Sequence, residues 1–189
     1  MASPDSHLLA AVRQHDPDAW NILLQRHQLP LYAYAAELLR DDTAAFDIVQ
    51  ETFVAAVRHI GGLRDDTRFA AWLFGIAHQK CLQHFRRVHR DGKIFAPTLA
   101  EDDSDVPADW PDPDASDPRT LLLRRETADE WLALLAQLPA AQRSALLLHV
   151  LEDFSLDEIA TITAVSLGTV KSRLHHAKRA LRQLVEAAR

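Results

Sequence analysis

Ser155-Leu156-Asp157-Glu158-Ile159-Ala160-Thr161-Ile162-Thr163-Ala164-Val165-Ser166-Leu167-Gly168-Thr169-Val170-Lys171-Ser172-Arg173-Leu174 is the stretch from which the fold is read. Its first four residues form a capping box, in which the Ser155 hydroxyl accepts from one free backbone N–H and the Glu158 carboxylate accepts from another. A helix is therefore predicted to start at Leu156. It must be short, because Thr161, Thr163 and Val165 are β-branched and Ser166 is a second N-cap. From Val170 the apolar residues recur at Leu174, Ala177, Leu181 and Leu184, which is one face of a regular helix. The rest of that helix holds Thr169, Lys171, Ser172, Arg173, His175, His176, Lys178, Arg179 and Arg182, with Glu186 as the only acid before the chain ends. Two helices joined by a tight turn, the second basic, have the form of a helix-turn-helix DNA reader. Lys and Arg neutralise phosphates, and Arg pairs bidentately with guanine in the major groove. Ala160 is expected where the two helices approach closely, with Val170 as the apolar plug between them. Ala164 stands at the turn position where Gly is favoured for positive φ, at a cost of about 1 kcal/mol for Ala.

Composition sets the frame around this motif. The chain has 189 residues, is 48% hydrophobic and carries few glycines, enough for one or two helical cores. Runs rich in Ala, Leu, Arg and Gln, with few alternating β-branched segments, predict an all-α architecture. The formal charge of -6 runs against nucleic-acid binding only if charge is evenly spread, and here acids and bases are segregated. Cys81 stands alone, so no internal disulfide is expected. The first residues lack the basic and apolar regions of a signal peptide, and no apolar run reaches membrane-spanning length. These features predict a cytoplasmic protein without membrane insertion.

Residues 100–118 contain many acids, four prolines and no base. Proline removes backbone donors and like charges extend the chain, so this stretch is predicted to be a linker with no packed core. It separates an N-terminal block, residues 1–93, from a C-terminal block, residues 119–189, with residues 94–118 as the tether. In the C-terminal block Asp117-Pro118 is expected to cap a helix through Leu121, Trp131 and Leu135. Pro139 then opens a helix that buries Leu146 and Leu147, ahead of the capping box.

The N-terminal block opens with a short helix near residues 6–14, and Asp16-Pro17-Asp18 caps a second with a kink expected at Pro30. A third helix follows Asp41-Asp42-Thr43, with Phe46, Val49, Phe53 and Val57 predicted on one face and Asp47, Gln50 and Glu51 on the other. After Gly61-Gly62 the loop Leu63-Arg64-Asp65-Asp66-Thr67 leads into a long helix. Phe69, Trp72, Leu73 and Ile76 are assigned to its core side, and its far end is basic.

Two separated stretches resemble the small alternative sigma factors of bacterial RNA polymerase, the extracytoplasmic-function group of the sigma-70 superfamily. In the first block Asp47-Ile48-Val49-Gln50-Glu51-Thr52-Phe53 and Phe69-Ala70-Ala71-Trp72-Leu73-Phe74-Gly75-Ile76-Ala77 are similar to the family's region two. In the second, Leu138-Pro139, Glu158-Ile159-Ala160 and Gly168-Thr169-Val170-Lys171-Ser172-Arg173-Leu174 are similar to region four. The resemblance implies that Asp47, Gln50 and Glu51 dock on the clamp of core RNA polymerase. It implies that Arg64, Arg68, His78, Gln79, Lys80, Arg86 and Arg87 serve recognition and opening of the minus-10 element, and that Ser166, Thr169, Lys171, Ser172, Arg173, His176, Lys178 and Arg179 serve the minus-35 element. It also implies docking of the second block on the polymerase flap, near residues 146–151, and an anti-sigma factor as partner.

The chain departs from the family pattern at His78-Gln79, where an Arg-Asn pair is frequent, at Gln83, where an acid is frequent, and at Phe46, where an acid is usual beside Asp47. An enzymatic role is disfavoured. No nucleotide-cradling Gly loop is present, and no Cys or carboxylate joins the histidines in a metal-ligand spacing, so no catalytic residue, metal or cofactor is assigned. The alternative to a promoter-specificity subunit is a free-standing helix-turn-helix regulator, which would bind an operator without polymerase.

Overall fold

The computed structural model describes residues 5–90 and 128–187, and among these residues every regular element is helical. The tether predicted at 94–118 and the expected cap at Asp117-Pro118 lie outside the described residues. The chain divides into two compact units, Met1–His84 and Phe85–Arg189.

The first unit begins with α1 (Ser6–Arg13) and α2 (Pro17–Leu39). Asp16 starts α2 as predicted, its carboxylate accepting from the Asp18 and Ala19 N–H groups at 2.9 and 3.4 Å with Pro17 in the first turn. The helix continues unbroken through Pro30. It stops at Arg40, whose left-handed backbone (φ 58) returns its N–H to the Ala36 carbonyl, and Asp41 immediately caps α3 (Asp42–His59). So short a connection lays α3 back along α2 as a helical hairpin. Leu23, Leu31, Tyr34, Ala35 and Leu38 of α2 are buried.

On α3 the predicted face is buried only in part: Val49 and Phe53 are buried and Asp47, Gln50 and Glu51 exposed as expected, but the seam is shifted away from Phe46 and Val57. Ala45, Ile48, Thr52 and Ala56 share the seam with Val49 and Phe53, whereas Phe46 and Val57 are 56% and 51% exposed. Small residues at 45 and 56 favour close helix approach, and that selects their side over the bulkier one. Thr52 is accommodated because its hydroxyl donates to the Ile48 carbonyl at 2.7 Å. Two short 3-10 turns, Ile60–Gly62 and Asp66–Arg68, then lead into α4 (Phe69–Arg90), which buries Phe69, Leu73, Phe74, Ala77 and Cys81. Trp72 is half-buried, its ring 6.0 Å from that of Phe69.

The N-terminus of α1 is tied to α2 by a buried carboxylate. Asp5 bonds to the Arg26 guanidinium and lies 3.2 Å from His27 Nε2, and the His27 ring meets Phe69 edge-on. A buried carboxylate is tolerable only when its oxygens are partnered in this way.

The second unit contains α5 (Ala128–Leu135), α6 (Ala140–Val150), α7 (Leu156–Thr163) and α8 (Leu167–Ala187). Helix α6 is the hub: residues 140–148 are all buried, and Leu146 and Leu147 are among them as predicted. Arg143 is drawn into this core because its guanidinium donates to the Ala136 and Leu138 carbonyls, both at 3.2 Å. These carbonyls follow the end of α5 and have no helical partner of their own. Between α6 and α7 the chain turns through Asp153 (φ 56), and the Phe154 N–H donates to the Leu148 carbonyl at 3.2 Å.

Candidate nucleic-acid interface

The helix-turn-helix is assembled by the local rules read from its sequence. Glu158 accepts from the Ser155 N–H at 2.9 Å and from its hydroxyl at 2.7 Å, while Ser155 Oγ accepts from the Glu158 N–H at 3.3 Å, so the capping box is complete. Helix α7 ends at Thr163, and Ala164 takes the left-handed conformation (φ 56, ψ 41) with its N–H returned to the Ala160 carbonyl. Ser166 Oγ accepts from the Thr169 N–H at 3.0 Å and starts α8. Val170, Leu174, Ala177 and Leu181 of α8 are buried together with Ile159 and Ile162 of α7. That packing leaves Lys171 and Arg179 of α8 exposed.

Among the residues expected at the minus-35 element, Ser166, Lys171 and Arg179 are exposed, and Thr169, His176 and Lys178 are half-buried. Ser172 and Arg173 are not on a solvent face: they are 3% and 6% exposed. Arg173 is one helical turn from both Val170 and Ala177, so it borders the apolar seam rather than opposing it.

Among the residues expected at the minus-10 element, Arg64, Arg68, Gln79, Arg86 and Arg87 are exposed on the loop and on α4. Lys80 is half-buried and pairs with Glu51 at 2.8 Å, joining α4 to the polar side of α3. His78 has a different place: it is 3% exposed, and its Nδ1 lies 2.7 Å from the Tyr34 hydroxyl. Its ring offers no edge to a base in this position. Helical periodicity explains why, since His78 follows Phe74 and precedes Cys81 on the buried side of α4.

On α3, Asp47, Gln50 and Glu51 are exposed side by side, flanked by exposed Phe46, Val54 and Val57. The α3 surface is thus mixed acidic and apolar rather than acidic alone. Near the expected flap contact, Leu146 to Leu148 are buried and Leu151 is 46% exposed.

The contacts of Arg13 are not legible in the sequence. It sits at the end of α1, and its guanidinium grips the loop that carries Arg64, from 50 and 53 residues away in the chain. Among the described residues no group of three or more His, Cys, Asp or Glu is arranged to hold a metal ion.

Comparison with known proteins agrees with both halves of this arrangement. The family model described as Sigma-70 region 2 matches residues 23–91, and that described as Sigma-70, region 4 matches residues 128–181. The RNA polymerase sigma-H factor of Pseudomonas aeruginosa is 30% identical over 177 residues, which cover 94% of this chain and 91% of that protein. The ECF RNA polymerase sigma factor SigE of Mycolicibacterium smegmatis is 32% identical over 164 residues, covering 87% of this chain and 60% of that one. Among solved structures, the sigma factor RpoE of Bartonella quintana in complex with the anti-sigma factor NepR superposes with a TM-score of 0.65 at 26% identity, over 89% of this chain and 98% of that chain. Two helical units in the order of regions two and four, a complete helix-turn-helix in the second, and a relative matched along nearly its whole length converge: the chain belongs to the sigma-70 family of RNA polymerase sigma factors, in its extracytoplasmic-function group.

Proposed function

We propose that the chain acts in the cytoplasm as an alternative sigma factor that binds core RNA polymerase and directs initiation at promoters carrying its own minus-10 and minus-35 elements. The observation that carries this reading is the pairing of a region two unit and a region four unit in one chain, in that order. A free-standing regulator would use only the second. The protein contributes binding and strand separation, and the polymerase contributes the chemistry.

Each contact follows from the chemistry exposed at its surface. The α3 stripe of Asp47, Gln50 and Glu51 with Phe46, Val54 and Val57 is assigned to core polymerase, where the acids steer docking and the apolar groups supply buried area. Opening the minus-10 element leaves bases unstacked and backbone exposed, and Arg64, Arg68, Gln79, Arg86 and Arg87 supply donors and positive charge for both. Lys80 adds charge once DNA competes with Glu51 for it. His78 is assigned to the seating of α4 on Tyr34, not to DNA.

At the minus-35 element, Ser166, Thr169, Lys171, His176 and Arg179 are assigned to the groove and Lys178 to phosphate. Ser172 and Arg173 act there only after leaving their buried positions, because a side chain reaches DNA only from solvent. Leu151 is the apolar residue of the 146–151 stretch available to the polymerase flap. An anti-sigma factor, as seen with the Bartonella quintana relative, is the expected regulator.

The test is reconstitution. The full chain should comigrate with bacterial core RNA polymerase and start transcripts at discrete, mappable sites on genomic fragments. Failure to bind core, combined with salt-sensitive retention of DNA by the chain alone, would overturn the sigma reading in favour of a free-standing regulator.

A further inference from the structure

The loop between α3 and α4 is poorly equipped to hold its own shape. A side chain added at Gly61 or Gly62 would meet nothing within 4 Å, so beyond buried Ile60 and the Leu63 N–H bond to its carbonyl at 3.1 Å little packs against that arm. Within the loop, Asp65 accepts from the Thr67 N–H at 3.0 Å and from its hydroxyl at 2.6 Å, which orders the second 3-10 turn alone. The Arg68–Asp65 pair is long at 3.6 Å and open to water, with side chains 63% and 53% exposed, so it adds little order.

What joins the two arms comes from α1. Arg13 donates through Nη1 to Asp66 Oδ2 at 3.0 Å and through Nη2 to Asp66 Oδ1 at 2.5 Å, a bidentate fork. The same Nη2 donates to the Leu63 carbonyl at 3.0 Å. Leu63 and Asp66 bracket Arg64 and Asp65, so a single planar guanidinium closes the neck of the loop and leaves Arg64 exposed at its tip. The hydrogen bond to Arg13 holds the Asp66 carboxyl below the usual carboxylate range.

We propose that Arg13 is a positioning residue for promoter opening: through Asp66 and the Leu63 carbonyl it pre-forms the loop of residues 63–68 that presents Arg64 and Arg68 to the minus-10 strand. This rests on the assignment of that loop to the minus-10 element. A loop already shaped does not lose its freedom when DNA binds, which strengthens capture of an unpaired base. Lys cannot replace Arg here, because a point cation cannot hold both carboxylate oxygens and the carbonyl in one plane.

The test uses the full chain assembled with core polymerase on a promoter mapped by transcription, with permanganate reactivity of minus-10 thymines as the readout of opening. Arg13→Ala should slow opening by about tenfold, the scale expected for losing pre-organisation of a few side chains, with affinity for core polymerase unchanged. Arg13→Lys should stay close to Arg13→Ala. The exchanged pair Arg13→Asp with Asp66→Arg should recover part of the rate. Arg64→Ala separates the two levels of the argument. If Arg64→Ala slows opening and Arg13→Ala does not, the clasp is wrong and the loop assignment stands. Should neither variant change opening, the loop assignment fails and the clasp falls with it. A parallel drop in core affinity for Arg13→Ala would make Arg13 a general structural support and overturn the proposal.

Discussion

Replacing Ala164 with Gly should stabilise the DNA-reading unit. Ala164 has φ 56 and ψ 41, so its Cβ crowds the backbone in a conformation that costs an L-residue roughly 1–2 kcal/mol. Against this, Gly increases the freedom of the unfolded chain, which offsets about 0.4–1 kcal/mol. Ala164 is exposed, so its methyl group contributes no core packing that would be lost. The expected net gain is about 0.5–1 kcal/mol, which raises the midpoint of a unit of this size by about 4 °C. Calorimetry of the full chain reads the shift, and amide exchange in α7 and α8 assigns it to the correct unit. Ala164→Val supplies the opposite sign, because a β-branched residue is disfavoured further in this region. Affinity for the minus-35 element should not change, since position 164 precedes the residues of α8 assigned to the groove. A loss of stability in Ala164→Gly, or equal stability of the Gly and Val variants, would refute the claim that the turn carries left-handed strain.

Three further outcomes follow from the same structure. Ser155→Ala removes the acceptor of the capping box and should destabilise the second unit by about 1 kcal/mol, read by denaturant midpoint, with minus-35 binding weakened only as far as unfolding requires. Burial lowers the pKa of His27 and outweighs the opposing pull of Asp5. The unfolded chain therefore binds the proton more readily: the stabilisation from neutral His27 is complete above its ordinary value of 6.5 and is lost as pH falls below it. Urea midpoints measured on either side of that value should show the drop, and His27→Gln should flatten it. Finally, burial pushes the Cys81 thiol up to about 12, so a thiolate-directed reagent at neutral pH should label the folded chain only at its unfolding rate. Immediate labelling would show that the α4 core is open.

Both ends of the helix-turn-helix are legible in the sequence, because each depends on hydrogen bonds closed within four residues. Ser155 with Glu158, Ser166 with Thr169, Asp16 with the first turn of α2 and the left-handed stop at Ala164 are all contacts of this kind. The all-α character and the order of the helices follow from the same local code. Which side of a helix is buried is less legible. Phe46 and Val57 have the spacing of core residues, yet Ala45, Ile48, Thr52 and Ala56 are buried beside Val49 and Phe53 and both of those larger side chains stay outside. His78 and Arg173 belong to motifs that suggest contact with DNA, and their burial depends on how far each lies from a seam that no single helix defines.

The grip of Arg13 on Leu63 and Asp66 lies furthest from sequence reading. Nothing in α1 marks that arginine, and nothing in the loop names its partner. Caps, turns and apolar periodicity were determined by the sequence alone because they are settled by neighbours in the chain. The exposed face of α3, the inward turn of His78 and the closed neck of the loop were decided only by tertiary structure, because each needs two segments brought together by the burial of other residues.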